Sequence, residues 1–189
     1  MIGHTLDVAD RENVGTFFDW AHQRLGKVDI LIQSAGINIP NRSMEAMQPS
    51  DWDRVLGINT TGAYNCAYAV LPGMRERRDG LIVFISSVSG RRATALGGVA
   101  YTAAKFAQTA LGKAIALEVG ELGIRVTNVC PGEVNTPILD DRPTPVSDEH
   151  KARILQPQDL ADAVLMVACL PPRAHISELV IKPTWQEYT

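Results

Sequence analysis

The strongest constraint on the fold of this chain is an alternation of short apolar runs with segments of helical periodicity. The runs at 28–33 ("VDILIQ"), 81–86 ("LIVFIS") and 124–130 ("IRVTNVC") are largely apolar. Such runs are typical of strands that are covered on both faces. Because helical patterns separate them, we predict an α/β domain built on a parallel sheet with helices on both faces.

Capping residues set the expected ends of the first two helices. Asp10 is predicted to cap a helix in which apolar residues recur at helical spacing until Gly26 ends it. Ser50 is predicted to cap the next helix, which runs over 51–71 and ends before Pro72.

The remaining elements complete the alternation. A third helix is predicted from Tyr101 to about Gly123, and Pro157 suits the first turn of a fourth. "TLDV" at 5–8 resembles the end of a strand, and "ELVIK" at 178–182 is the last predicted strand.

In parallel sheets, ligands bind beyond the carboxyl ends of the strands. The polar segment 136–157 holds four prolines and is long for a connection, so we expect a lid, a binding loop or disorder there. The residues that follow the predicted strands are Asp7 and Val8, then Ser34, Ala35 and Gly36, then Ser86 and Ser87, and finally Pro131 and Gly132.

Composition narrows the class of protein. The 189 residues are 46% apolar and 21% charged, which is typical of one soluble globular domain. The net charge is −3 and the tight basic groups at 75–78 and 91–92 border glycines, so we expect no nucleic-acid partner. With no apolar run of membrane-spanning length and no secretory pattern at the N-terminus, we expect a cytoplasmic protein without a membrane partner.

The cysteines favour neither a disulfide framework nor a metal site. Cys66, Cys130 and Cys169 are odd in number, far apart and set in apolar segments. We therefore expect buried free thiols in a reducing compartment, and no metal.

Tyr101 and Lys105 stand four residues apart, on one face of their predicted helix. A free tyrosine, with a pKa near ~10, is a poor base at neutral pH, and a nearby cation lowers that pKa. With a second hydroxyl from Ser87 at the end of a buried strand, the pair is suited to proton exchange with a substrate oxygen. From these residues alone the alternative stays open that Tyr101 packs while Lys105 extends over the surface.

Six motifs occur in an order that resembles the short-chain dehydrogenase/reductase family over essentially the whole chain. The resemblance implies a Rossmann-like doubly wound parallel sheet, as a single NAD(P)-binding domain over 1–189. The motifs are "LDV" at 6–8, "SAG" at 34–36, "NTTGAY" at 59–64, "ISSVSG" at 85–90, "YTAAK" at 101–105 and "PGEVNTP" at 131–137.

The resemblance implies hydride transfer between NAD or NADP and a small alcohol or carbonyl substrate. Tyr101 would be the catalytic acid and base, Lys105 its electrostatic partner, and Ser87 the group that polarises the substrate oxygen. Asn59 would break its long helix and hold a water in a proton relay; "NTTG" is poor helix material, which fits a local break. The C-terminal "ELVIKPT" resembles a subgroup that acts on hydroxy amino acids or small polar alcohols.

The same resemblance implies the cofactor contacts, in which Asn59, Tyr101 and Lys105 also take part. The chain has Ser34 where the family usually has Asn, so a side-chain amide is lost between strands. The choice between NAD and NADP cannot be read from this sequence. The remaining implied cofactor-binding residues are Asp7, Val8, Ser34, Ala35, Gly36, Pro131, Gly132, Val134 and Thr136.

Family members begin with a strand, a glycine-rich turn and a helix, whereas this chain reaches the "LDV" motif by residue 6. The resemblance therefore implies an incomplete domain without the first β-α-β part, in which the strand at 28–33 has an open edge. Three explanations stay open: a fragment of an intact enzyme, a naturally truncated and inactive interaction partner, or a weak cofactor binder. We expect the first for the function of the gene. The helices at 51–71 and 101–122 are the family's dimer contact, so we also expect a homodimer or homotetramer.

Overall fold

In the computed structural model, which describes residues 2–187, four parallel strands form one sheet in sequence order. Ile30 lies opposite Leu81, and Leu81 lies opposite Arg125 in the next strand. The prediction of a parallel sheet is confirmed. The strands are β1 (Ile30–Gln33), β2 (Gly80–Ile85), β3 (Ile124–Pro131) and β4 (Glu178–Ile181).

Helices cover both faces of the sheet. On one face the inward side chains of β2 and β3 pack against the helices at 11–25, 62–77 and 99–119, and on the other against the helix at 157–168. Phe84 belongs to the first cluster and its neighbour Val83 to the second, as the alternation of side chains along a strand requires. The helices are α1 (Arg11–Leu25), α2 (Pro49–Leu56), α3 (Gly62–Arg77), α4 (Val99–Val119), α5 (Asp148–Arg153) and α6 (Pro157–Ala168).

Helix α1 has the predicted ends. The Asp10 carboxylate accepts hydrogen bonds from the backbone N–H of Glu12 and Asn13, which have no partner within the helix. Gly26 ends α1 with φ of 78°, a backbone conformation that glycine adopts without steric cost.

The predicted helix over 51–71 is two helices joined by a π-helical turn. The first begins at Pro49 with Gln48 as its N-cap, so the prediction that Ser50 caps it is wrong. The turn at Gly57–Thr61 contains Asn59, which confirms the predicted local break. A π turn is a common insertion at functional sites because it reorients one side chain without ending the helix.

Helix α3 runs through Pro72, so the prediction that the helix stops before this proline is wrong. Pro72 lacks the N–H that would bond to the carbonyl of Tyr68. Both residues are exposed, so water can hydrogen-bond to that carbonyl, and the helix continues to Arg77.

The segment at 5–8 is not a strand, contrary to the prediction. Among the described residues β1 pairs with β2 alone, so no strand lies beside 5–8 for it to pair with. Val8 instead packs against α3, where its carbonyl accepts a hydrogen bond from Asn65 Nδ2 at 3.0 Å. The expected open edge of β1 is present, with Ile30 44% and Ile32 49% exposed.

The segment 136–157 is ordered into short helices rather than a structureless loop. A 3₁₀ turn at Pro137–Asp141 is followed by α5. The segment returns to the sheet through a parallel bridge between Val134 and Leu155.

Two of the expected buried thiols are buried and the third is not. Cys66 and Cys130 lie in the interior, whereas Cys169 is exposed because it caps the end of α6 at the surface. Within residues 2–187, no helix combines the length and apolar character needed to cross a membrane.

A substitution at the close contact between α4 and β3 tests the fold directly. A methyl group at Gly112 would lie 2.4 Å from the side-chain oxygen of Asn128, which is 1% exposed and cannot move away freely. We expect Gly112→Ala to lower the free energy of unfolding by about 1–3 kcal/mol, measured by urea denaturation.

Gly15→Ala is the matched control, since Gly15 is exposed on α1 and a methyl group there meets nothing within 4 Å. It should leave stability unchanged or raise it by up to about 1 kcal/mol, because alanine favours helix more than glycine does. Equal stability of wild type and Gly112→Ala would contradict the described packing.

Candidate active site

The carboxyl ends of β2 and β3 meet the start of α4 around a cavity of about 1060 Å³. Gly98, with φ of 75°, turns the chain into α4 where any side chain would collide with Arg42. The cavity is lined in part by predicted site residues, which are Ser34, Gly36, Ser87, Tyr101, Lys105, Pro131, Gly132, Val134 and Thr136.

Three serines follow β2, and their hydrogen bonds distinguish them. The Ser86 hydroxyl is 2.7 Å from Thr109 Oγ1 and faces α4, and Ser89 pairs with Thr94 at 3.2 Å. The Ser87 hydroxyl accepts from the N–H of Ser89 at 3.1 Å and lies close enough to Tyr101 to act on the pKa of its phenol. Ser87 is therefore the serine of this motif that meets the tyrosine at the rim of the sheet.

The electrostatics of Tyr101 differ from the expectation. Burial raises the pKa of Tyr101, and the adjacent Ser87 hydroxyl and the Arg42 charge oppose this without reversing it. Lys105 Nζ lies 5.7 Å from the ring centroid. In the protein without ligand the pKa is thus raised rather than lowered, because burial outweighs the Arg42 charge. The role of Lys105 as electrostatic partner of Tyr101 stays a prediction.

Lys105 is a buried lysine without a carboxylate partner among residues 2–187. It is 3% exposed, and its ammonium donates to the carbonyl of Ile85 at 2.8 Å and to Gln108 Oε1 at 2.8 Å. Burial lowers the pKa of Lys105 to about 7, with the Cys130 thiol acting weakly the other way. The side chain therefore changes charge near neutral pH.

Asn59 fixes the loop that follows β1. Its amide donates to the carbonyl of Ile37 at 2.9 Å and accepts from the N–H of the same residue at 2.8 Å. A methyl group at Gly36 would lie 3.3 Å from Asn59 Oδ1 and 3.4 Å from Lys105 Nζ. The "SAG" backbone thus runs close to both side chains, of which Lys105 lines the cavity and Asn59 does not.

Asp7 and Val8 lie outside the residues that line the cavity. The Asp7 carboxylate accepts from the N–H of Ala9 at 2.9 Å, as in a turn, and the side chain is exposed. Their implied contact with the cofactor stays a prediction.

Three polar residues of the site are absent from the predicted set. Gln33 and Gln108 form a buried amide pair, and Arg42 donates to the carbonyls of Ile39, Leu96 and Asp141. The sequence carries a signal for the first two, since Gln33 ends an apolar run and Gln108 lies one helical turn after Lys105.

The carboxylate of Glu133, two residues after β3, contacts two side chains of the segment over the cavity. Glu133 accepts from Arg142 at 2.9 Å and contacts His150 Nε2 at 2.8 Å. Burial raises the pKa of Glu133, but these two hydrogen bonds outweigh it and the net pKa is lowered. No group of three or more potential metal ligands occurs in the described part of the chain.

The buried lysine predicts a pH dependence of stability. Since the pKa of Lys105 falls from 10.5 to about 7 on folding, the unfolded chain binds more protons between these pH values. The free energy of unfolding of wild type minus that of Lys105→Met should therefore increase as the pH rises above about 7. The increase is at most about 1.4 kcal/mol per pH unit.

Urea unfolding at several pH values measures this difference, and all other groups cancel between the two proteins. Lys113→Met, which removes an exposed lysine of the same helix, is the control. A difference that stays constant from pH 7 to pH 9 would refute the burial of an uncompensated ammonium.

Comparison with known proteins agrees with this geometry. Residues 1–146 match the sequence profile described as short chain dehydrogenase. An uncharacterized oxidoreductase of Staphylococcus aureus (strain USA300) is 31% identical over 177 residues, which cover 94% of this chain and 74% of that protein. The chain thus spans about three quarters of the length of this relative.

Solved structures show the same fold. The closed form of a serine dehydrogenase complexed with NADP+ is 28% identical, with a TM-score of 0.87 over 98% of this chain and 77% of that chain. The serine dehydrogenase from Escherichia coli is 27% identical, with a TM-score of 0.84 and the same coverage. With a parallel α/β sheet, a serine–tyrosine–lysine cavity at its rim and these matches, the chain belongs to the short-chain dehydrogenase family of oxidoreductases.

Proposed function

We propose that this chain carries the catalytic residues of an NAD(P)(H)-dependent oxidoreductase that interconverts a carbonyl and an alcohol. One observation carries the proposal: Ser87, Tyr101 and Lys105 line one cavity, with Ser87 close enough to Tyr101 to act on the pKa of its phenol. Two adjacent hydroxyls can bind one substrate oxygen, and the cation stabilises negative charge that develops nearby.

Tyr101 acts as the proton donor and acceptor. Its raised pKa keeps the phenol protonated at neutral pH, so it is ready to donate to the oxygen of a carbonyl undergoing reduction. Ser87 donates a hydrogen bond to the same oxygen and polarises the carbonyl. In the oxidation direction Tyr101 acts as a phenolate, which the charge of Lys105 stabilises, and it becomes a phenol when it takes up the proton of the alcohol.

The residues present fit a nicotinamide cofactor. An ammonium has three N–H donors, and Lys105 uses two of them within the described chain, which leaves one for a ribose hydroxyl. Gly36 brings the backbone close to Lys105 at the same wall, and Thr136 lines the cavity beside β3. When bound, the nicotinamide supplies or accepts the hydride.

The similar structures guide the search for a substrate. Serine dehydrogenases are among them, one complexed with NADP+, and the C-terminal "ELVIKPT" resembles the same kind of subgroup. We propose small polar alcohols and hydroxy acids as the first substrates to assay, with both NAD(H) and NADP(H).

Self-association is a second proposal. Large side chains on the outer faces of α3 and α4 are exposed, with Tyr68 at 67% and Leu117 at 89%. Exposed apolar groups of this kind favour pairing of these helices with a second copy. Sedimentation of wild type and Leu117→Glu tests this, since the charge should weaken a dimer that is formed there.

Substitution of the tyrosine tests the catalytic proposal. We expect Tyr101→Phe to lower nicotinamide-dependent turnover by about 10²–10⁴-fold, because the phenol oxygen that exchanges the proton is removed. Absorbance of the dihydronicotinamide follows the reaction.

Tyr68→Phe is the matched control, since it makes the same change on the exposed face of α3 and should keep full activity. Equal turnover of wild type and Tyr101→Phe would reject the assigned role. Absence of turnover for wild type with every substrate, under conditions in which cofactor binds, would reject the oxidoreductase proposal for this chain.

A further inference from the structure

A row of buried amide groups connects Lys105 to the segment that follows β1. We propose that Gln108 and Gln33 are positioning residues that hold the Lys105 ammonium at the cavity wall. The consequence for turnover rests on the proposed function, whereas the positioning itself is a property of the protein without cofactor.

The hydrogen bonds run in one direction. Lys105 Nζ donates to Gln108 Oε1 at 2.8 Å, and Gln108 Nε2 donates to Gln33 Oε1 at 2.8 Å. Gln33 Nε2 then donates to the carbonyl of Ala35 at 3.1 Å, within the "SAG" segment. Lys105 and Gln33 are 3% exposed and Gln108 is 0% exposed, so bulk water has little access to these contacts.

The positive charge sets the orientation of both amides. An ammonium donates hydrogen bonds and accepts none, so Gln108 must present its oxygen to Lys105 and its N–H groups to Gln33. Gln33 must then accept with its oxygen and donate to Ala35. Reversal of either amide would place two donors or two acceptors in contact inside the protein, which is costly in a buried site.

The hydrogen bond to Gln108 offsets a large share of the free-energy cost of burying the Lys105 ammonium. The acceptors of Lys105 are one backbone carbonyl, at Ile85, and the Gln108 side chain. The titratable groups that face it are the Cys130 thiol from β3 and Tyr101 on its own helix. Since no carboxylate pairs with Lys105 in the described chain, loss of Gln108 should make the charged form markedly less favourable.

The experiment measures the pKa of Lys105 directly. The full chain is labelled with ¹³C at the lysine Cε, and NMR spectra are recorded over a pH titration without cofactor, with Lys105→Met assigning the signal. Wild type is compared with Gln108→Met, Gln33→Met and Gln108→Glu. Gln158→Met, an exposed glutamine on α6, is the matched control.

We expect Gln108→Met to lower the pKa of Lys105 by about one pH unit, because one of two acceptors of a charged donor is removed. Gln33→Met should lower the pKa of Lys105 less, because Gln108 is still present as an acceptor, although its amide is no longer held in one orientation. Gln108→Glu should raise it by about one to three pH units through the new negative charge. Gln158→Met should leave it unchanged.

An unchanged pKa of Lys105 in folded Gln108→Met would overturn the proposal. If that variant does not fold, Gln108→Glu decides, and the absence of a rise there would overturn it. If the wild type turns over substrate, its pH–rate profile should move in the same direction as the pKa in each variant. If the pKa changes are observed but the protein shows no turnover, the oxidoreductase proposal is disproved and the positioning proposal stands.

Discussion

The Lys105 ammonium, buried without a carboxylate partner, is the interaction on which the candidate site depends. Desolvation disfavours its charge, and two neutral acceptors, the Ile85 carbonyl and Gln108, keep it in place. Breaking a surface ion pair costs little free energy. A buried charge, by contrast, is stable only when neighbouring groups accept its hydrogen bonds. The residues around Lys105 must therefore keep the positions and orientations in which they accept its hydrogen bonds.

The position of α4 places this charge beside the proton-exchanging groups. Gly112 allows the helix to lie against Asn128 of β3, and the hydrogen bond between Ser86 and Thr109 fixes the end of β2 against the same helix. Tyr101 then projects from the first turn of α4 toward Ser87. Packing of small residues thus determines the geometry of the chemistry, although none of these packing residues exchanges a proton.

Much of the fold could be predicted from the sequence because it follows from local patterns. The apolar runs, the Asp10 cap, the glycine at position 26 and the poor helix formers around Asn59 each act within a few residues. The segment at 5–8 has the same local pattern as a strand and yet forms none, since a strand also needs a neighbour to pair with. Local sequence holds no information about that neighbour.

The candidate site could be predicted less completely. Motif order indicated the residues that line the cavity, but the pKa of Tyr101 depends on how deeply the phenol is buried, which spacing along a helix does not reveal. The contact of Gln33 with Gln108 joins residues 75 positions apart. Such pairings depend on the packing of β1 against α4 and become visible with the tertiary structure.

Binding of the reduced cofactor tests the central claim, that this cavity holds a nicotinamide beside Lys105. Purified protein titrated with NADH and NADPH should enhance the fluorescence of one of them in a saturable way. Lys105→Met should weaken this binding and Lys113→Met should not. Absence of binding to either cofactor at millimolar concentrations, in protein shown to be folded, would contradict the account.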